Sequence, residues 1–433
     1  MDISIASGRP AASGLLSRRL DRLRSSTVPA PSQARASTPD FSAALAQELG
    51  GQVERSAGGS IAVFESTFAG LGLDRARLAG LPYPVPDGHP LVCIDLETTG
   101  LATAAGTLAF LVGVGTWVGE SMVVRQLVLP DHAGETALLD VLCSVVPADA
   151  WLVTYNGRCF DWPLLVARYR LHRRAAPVHA GHLDLLPVAR QLWKHRLEGA
   201  RLAIVEREIC GVMRDDDLPG HLIPERYFTY LRSRRAELLR PILEHNRQDI
   251  VSLGQMLGRL VAGFGSPEAW PATHPGDVFG LARAFARQGR HPEALNAVEA
   301  ALGADAWSLG VTGGAGLHRR LSAERARLLA RVGRRDEAYR AWSEIALRGG
   351  PGAGLAWLAV ARYREHTLRD IAGALDACQQ AASVAERARA WGNPLFVVER
   401  DLARRLPRLR RVAFRRRPFR PTNAANRDVS RAA

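Results

Sequence analysis

The chain of 433 residues is 47% hydrophobic and 23% charged, a balance normal for a globular protein and too long for one core, so about two to three domains are expected. Its formal charge of +14 points to a polyanionic partner, nucleic acid or an anionic membrane surface, and nine arginines without an acid between residues 404 and 420 supply +9 of it. The single lysine, Lys194, lies in Trp193-Lys194-His195-Arg196, which excludes a GxxxxGK[ST] phosphate loop and with it a P-loop motor.

The five cysteines (Cys93, Cys143, Cys159, Cys210, Cys378) form no CxxC pair, which argues against a disulfide framework or a structural zinc site and for a reducing compartment. No apolar run reaches the ~20 residues of a membrane helix, and the N-terminus carries no uninterrupted apolar core of signal length. A cytoplasmic protein that does not enter a membrane is the resulting expectation.

In chain order, residues 1–55 are rich in Ser, Ala, Pro and Arg and are predicted to be disordered, with a basic helical turn or two at 15–23. Residues 56–265 read as an α/β domain. The apolar run at 91–96 predicts a buried central strand. Residues 108–118 and 122–129 are β-rich and flank a Gly119-Glu120-Ser121 turn, which predicts a hairpin. A helix at 135–146, a short strand at 151–154 and a helix at 160–171 follow, and 183–260 holds several helical segments.

Residues 270–395 are helical by pattern and repeat. Ala282-Arg283-Ala284-Phe285 leads to Gly289-Arg290-His291-Pro292-Glu293-Ala294-Leu295, and Ala326-Arg327-Leu328-Leu329 leads to Gly333-Arg334-Arg335-Asp336-Glu337-Ala338-Tyr339. In each copy a Gly ends one helix and an acid-Ala pair opens the next, the pattern of antiparallel helix pairs that bury their faces by stacking. A looser third copy runs through 357–363 and 370–381. Residues 396–433 read as a disordered, Arg-rich tail, with Phe414 and Phe419 placed to stack on bases while arginines meet phosphates.

Three places in the α/β region carry acids in a chemically telling order. Asp95-Leu96-Glu97 closes the central strand, and residues two apart on a strand share a face. Two such carboxylates repel unless a cation lies between them, and their oxygens suit Mg²⁺ or Mn²⁺. Asp161, in Tyr155-Asn156-Gly157-Arg158-Cys159-Phe160-Asp161, follows an Asn-Gly turn and starts a helix, where an N-terminal cap is the simpler reading. His245 and Asp249, four apart, share one face of a helix, an arrangement that is commonly only an ion pair. Near them in sequence, His182-Leu183-Asp184 precedes a helix whose Arg190, Lys194 and Arg196 suit phosphate contact or simply a solvated basic face.

The set Asp-x-Glu, Asn-x₄-Asp and His-x₃-Asp, in that order, resembles the DEDD exonuclease superfamily with its ribonuclease H-like fold. The phrases IDLETTGL, YNGRCFDWP, HLDLL, LWKHRLE and EHNRQDIVSL are similar to the YprB-type ribonuclease H-like family, which carries tetratricopeptide repeats behind its nuclease domain. The resemblance covers residues 60–390 and implies a mixed sheet flanked by helices at 56–265 followed by tetratricopeptide-like repeats at 270–395. It also implies that Asp95, Glu97, Asp161 and Asp249 hold two divalent metal ions (Mg²⁺ or Mn²⁺) about 3.5–4 Å apart. Asp95 would contact both ions, Glu97 and Asp249 would complete the first and Asp161 would support the second. His245 would act as general base. Thr98, Asn156, Lys194 and Arg196 are read as substrate contacts. The family's His-type branch places its histidine five residues before the last Asp; here His245 stands four before, the spacing of the Tyr-type branch.

The activity implied is 3′→5′ hydrolysis of DNA or RNA, with single-stranded 3′ ends as substrate and a protein partner on the repeats. The alternatives are structure-selective or endonucleolytic cutting, and an inactive nucleic-acid-binding fold serving the repeats as a scaffold. No G-x-S-x-G, H-E-x-x-H or strand-borne G-x-G-x-x-G signals another enzyme class.

Overall fold

In the computed structural model the described residues are 40–415, apart from 84, 101–105, 215–216 and 305–313. The helical turn expected at 15–23 and the end of the chain beyond 415 lie outside them. Helix α1 (Phe41–Leu49) leads into a seven-stranded sheet made of β1 (Gln52–Ser56), β2 (Gly59–Ala69), β3 (Leu91–Thr98), β4 (Ala109–Val118), β5 (Ser121–Val128), β6 (Trp151–Thr154) and β7 (Gly181–Asp184). The spatial order is β1-β2-β5-β4-β3-β6-β7. Strands β1 to β5 pair antiparallel, whereas β3, β6 and β7 run parallel. The parallel half needs crossovers, and helices α3 (Glu135–Val145) and α4 (Asp161–Leu171) supply them; α2 (Arg75–Ala79) is a short turn before β3.

Part of the segment predicted to be disordered up to residue 55 is therefore structured, because α1 buries Leu45 and Ala46 and β1 is an edge strand held by its pairing to β2. Strand β1 (Gln-Val-Glu-Arg-Ser) is too polar to announce itself by local pattern. Strand β7, whose second half lies in the stretch read as helical, is likewise a short pairing partner of β6.

Alternation along β3 divides its side chains between two cores. Val92, Ile94 and Leu96 pack into the core under α1, α3, α4 and α7 (Ile223–Ser233), with α5 (Leu185–Leu192) and α6 (Leu202–Val205) lying between α4 and α7 in sequence. Leu91 and Cys93 join the opposite core, which holds α8 (Arg240–Phe264). Asp95 and Glu97 continue that second face, so the acids look toward α8. Helix α8 is apolar at Ile250, Leu253, Met256, Leu257 and Leu260, all buried, and each such side chain is worth roughly 1.5–3 kcal/mol. It approaches the sheet over Gly113 and Gly115, which face Asp95 and Cys93 across the β3–β4 ladder. A Cβ on Gly113 would overlap Asn246 and stand 2.8 Å from Ile250 Cγ1.

The helical region consists of the antiparallel pairs α9/α10 (Pro275–Arg287, His291–Leu302), α11/α12 (Gly314–Arg331, Arg335–Arg348) and α13/α14 (Ala353–His366, Ile371–Ala390), closed by α15 (Phe396–Arg415). The second core runs without interruption from the sheet and α8 through Trp270 and Phe279 into α10, α11 and α12. Helix α15 stands where a disordered tail was predicted. Its Val398, Leu402 and Leu409 are buried against α13 and α14, and Arg405 pairs at 2.7 Å with Glu365, a carboxylate only 5% exposed that Arg408 also holds. All five cysteines are free. Among the described residues no helix is long and apolar enough to cross a membrane.

Candidate functional site

The strand end, the start of α4 and the first half of α8 bring Asp95, Glu97, Asp161, His245 and Asp249 into one place. Burial, together with repulsion from Asp249, Glu97 and Asp161, pushes the Asp95 carboxyl well above the usual carboxylate range. Glu97 is raised by burial and then by Asp249 and Asp161. Asp161 rises to about 7, chiefly through burial and the neighbouring Asp184. Asp249 is raised by burial against the pull of His245 and Arg214. Four acids from three elements thus feel one another in a poorly solvated space, which is costly without positive charge. Hard oxygen donors in such number fit a divalent cation by their chemistry. As they stand, however, no three His, Cys, Asp or Glu side chains among the described residues converge closely enough to enclose an ion.

Asp161 opens α4 but is not its N-cap; Phe160 holds that position without a side-chain hydrogen bond. The simpler capping reading thus does not describe it. The turn before it is built by Asp184, whose Oδ1 accepts from the Asn156 backbone N–H at 2.7 Å and from Leu186 N–H at 3.0 Å, and whose Oδ2 accepts from Arg158 N–H at 3.3 Å. Asn156 takes a left-handed conformation (φ 67°), which an asparagine tolerates better than most residues. Asp184 therefore fixes the loop that delivers Asp161.

His245 is oriented by a residue that the sequence reading passed over. Its Nδ1 lies 2.6 Å from Asp217 Oδ1, and its Nε2 lies 3.7 Å from Asp249 Oδ2. With Nδ1–H donating to Asp217, the free Nε2 lone pair faces the acids. Burial works against the Asp217 charge, yet hydrogen bonds from His245 and Arg214 hold its carboxyl below the usual range.

Arg214 is the site's built-in cation. Its Nε donates to Glu206 Oε2 at 2.8 Å, its Nη1 to Asp217 Oδ2 at 3.0 Å, and its Nη2 to Asp249 and to Glu206. Glu206 is fully buried at the start of a π-helical turn (Glu206–Cys210) and has no other ion-pair partner among the described residues. On the sheet side, Asn246 donates to Asp95 Oδ2 at 2.9 Å, and Gln126 donates to Asn246 Oδ1 at 3.0 Å and to Leu243 O at 2.8 Å. Asn246 was detectable in principle: it sits midway between Ile242 and Ile250 on the buried stripe of α8, a polar residue at an apolar register. Arg214 opens the run Arg-Asp-Asp-Asp at 214–217, which gives no local sign of reaching α8.

The other residues read as substrate contacts are placed apart from one another. Thr98 donates its hydroxyl to Gly100 O at 2.7 Å. Arg196 pairs with the buried Asp277 of α9 at 3.1 Å, so it ties the α/β region to the helical region. Lys194 stands just beyond the end of α5 among the cations of α9 and α11.

With this sheet order and these acids in view, residues 92–261 match the family model described as RNase_H superfamily, which agrees with a ribonuclease H-like fold for the α/β region. The chain is also 35% identical over 211 residues to "Uncharacterized protein YprB" of Bacillus subtilis (strain 168), an alignment covering 48% of this chain and 51% of that protein. The chain thus spans about half the length of the curated relative it matches.

Proposed function

We propose that the protein is a divalent-metal-dependent nuclease acting as a 3′→5′ exonuclease on DNA or RNA. The observation that carries this reading is the meeting of Asp95, Glu97, Asp161 and Asp249 in one buried space inside a ribonuclease H-like domain. When bound, two divalent ions held by these four carboxylates would supply Lewis-acid stabilisation to an in-line displacement at phosphorus. His245 accepts the proton of the attacking water at Nε2, because Asp217 engages Nδ1. Asn246 holds the Asp95 carboxylate, and Arg214 positions Asp249 and Asp217. The polarity of cutting is what the resemblance to the DEDD exonuclease superfamily implies.

A second reading, a nucleic-acid-binding fold without hydrolysis whose helix pairs hold a protein partner, is favoured by one observation: the guanidinium of Arg214 already neutralises Asp249 and Glu206. One assay separates the two. The full chain is incubated with Mg²⁺ or Mn²⁺ and 5′-labelled single-stranded DNA or RNA beside an Asp95→Ala/Asp249→Ala variant. A metal-dependent ladder of shortened 5′-labelled products that the variant does not give supports the exonuclease, and the better-cut oligonucleotide identifies the sugar. Equal inertness of both proteins on single-stranded, duplex and flapped substrates supports the binding fold.

A further inference from the structure

Beyond the acidic site, the junction of the α/β and helical regions forms a cavity of about 590 Å³ lined by Lys194, Arg283, Arg319, Arg320 and Arg327, with Phe279 and His195 in its wall. Its one acid, Glu324, is paired with Arg327 at 2.9 Å. Arg327 also lines a second cavity of about 750 Å³ between α11, α12 and α13, where Arg331, Arg335 and Arg362 stand among Tyr339, Trp342 and Tyr363 and no carboxylate takes part in the lining. The two cavities meet at Arg327, which lines both. Among the described residues, Lys194, Arg283, Arg319 and Arg320 have no carboxylate partner, and neither do Arg331, Arg335 and Arg362.

Unpaired cations gathered in a concavity repel one another. The Lys194 ammonium is held below its usual pKa by burial and by Arg283, Arg287 and Arg320, and His195 is lowered to about 4 by burial, Lys194 and Arg320. An anion relieves this, and an extended polyanion relieves it along the whole face. The aromatic rings give the anion a chemical type. Arg327 lies 5.8 Å from the Trp342 ring centre, Arg283 lies 5.9 Å from that of Phe279, and Tyr339 stacks on Tyr363 at 4.4 Å. Alternation of guanidinium groups and ring faces suits phosphates and unstacked bases together.

The placement fits a strand whose end lies among the acids. Helix α5 is N-capped by Asp184, beside Asp161, and ends just before Lys194. Its eight residues span about 12 Å, the length of roughly three to four stacked nucleotides.

We propose that the arginine-lined face running from Lys194 through Arg319, Arg320 and Arg327 to Arg362 binds the phosphate backbone of single-stranded nucleic acid a few nucleotides from the acidic site. The proposal rests on the reading that the chain handles nucleic acid, and it is tested without cutting.

Full-length protein carrying Asp95→Asn is titrated in EDTA against a fluorescein-labelled 20-nucleotide DNA and RNA, with and without Arg319→Gln/Arg320→Gln/Arg331→Gln. An Arg232→Gln/Arg235→Gln/Arg240→Gln variant has the same net charge, its changes lying at exposed positions in α7, in the loop after it and at the start of α8. The face variant is expected to bind at least about tenfold more weakly at moderate salt. Its slope of log affinity against log salt should fall by about 2, at ~0.7 for each lost phosphate contact, while the α7–α8 variant keeps most of both. If the triple change lowers the melting temperature appreciably, Lys194→Gln/Arg362→Gln, at the two ends of the face, carries the same expectation with a slope change of about 1.4. Equal weakening by the face and α7–α8 variants, or none by either, overturns the proposal. So does loss of binding to phosphatidylcholine vesicles containing phosphatidylserine with oligonucleotide binding intact. Because this readout needs no hydrolysis, an inert nuclease assay with selective loss of binding would remove the catalytic reading and leave this one standing.

Discussion

Asn246 spans the gap between helix and sheet to donate to the Asp95 carboxylate at 2.9 Å, while Gln126, only 4% exposed, donates to Asn246 in turn. This chain of amides fixes the height of α8 above β3 and so sets where His245 and Asp249 stand. Asn246→Ala leaves Gln126 without one partner and Asp95 without its donor, and a loss of about 1–3 kcal/mol is expected in urea denaturation. Nuclease activity should fall with it, with the larger effect on kcat. A variant with wild-type stability and turnover would show that the chain of amides does not position the site.

The acids at the site oppose folding when no cation is supplied. Asp95→Asn should therefore abolish cutting yet raise stability in EDTA by about 1–3 kcal/mol, since an amide accepts from Asn246 without repelling Glu97, Asp161 and Asp249. Mg²⁺ should raise the melting temperature of wild type and not that of the variant. If chelated wild type is the more stable of the two, the repulsion is not what the structure implies.

At Gly113, as at Gly115, side chains of α8 press directly against β4. Gly113→Ala drives a methyl group against Asn246 and Ile250, so about 1–3 kcal/mol should be lost. Activity should drop more than the stability change explains, because the displaced helix carries two site residues. Thermal melts and turnover measured on the same preparation decide this.

Arg214 is what keeps Glu206 buried. Arg214→Gln removes the guanidinium and leaves that carboxylate unpaired, at an expected loss of about 3–5 kcal/mol. Arg214→Lys should recover little, because one ammonium cannot span Glu206, Asp217 and Asp249 as the guanidinium does. A loss below about 1 kcal/mol in Arg214→Gln, by urea denaturation, would mean the network contributes little to the fold.

Asp277 offers a pH test away from the acids. Burial raises its carboxyl to about 7 although Arg196 pulls the other way, and the His274 imidazole at 3.9 Å, its Nδ1 accepting from Gly276 N–H, adds no opposing charge. The raised folded pKa means that the folded protein binds more protons than the unfolded chain between pH ~4 and 7, so this group's contribution falls as pH rises through that window. Relative to wild type, Asp277→Asn should gain roughly 2 kcal/mol on going from pH 5 to pH 8. Parallel stability–pH curves for the two proteins would contradict the raised pKa.

Much of this was legible locally. The period of two on β3 placed Asp95 and Glu97 on one face, the period of 3.6 on α8 put His245 beside Asp249, and Gly289 and Gly333 marked the ends of α9 and α11. Such signals lie within a few residues of one another, and backbone geometry alone fixes them. The tertiary structure decided what depends on partners far along the chain. Strand β1 is ordered by β2, and α15 by burying Val398, Leu402 and Leu409 and by meeting Glu365, none of which an Arg-rich stretch discloses by itself. Arg196, read as a phosphate contact, pairs with Asp277, 81 positions away in the chain. Arg214 gave no warning that it would sit on Asp249, since a guanidinium's partner is chosen by which carboxylates the fold buries and not by its neighbours in sequence.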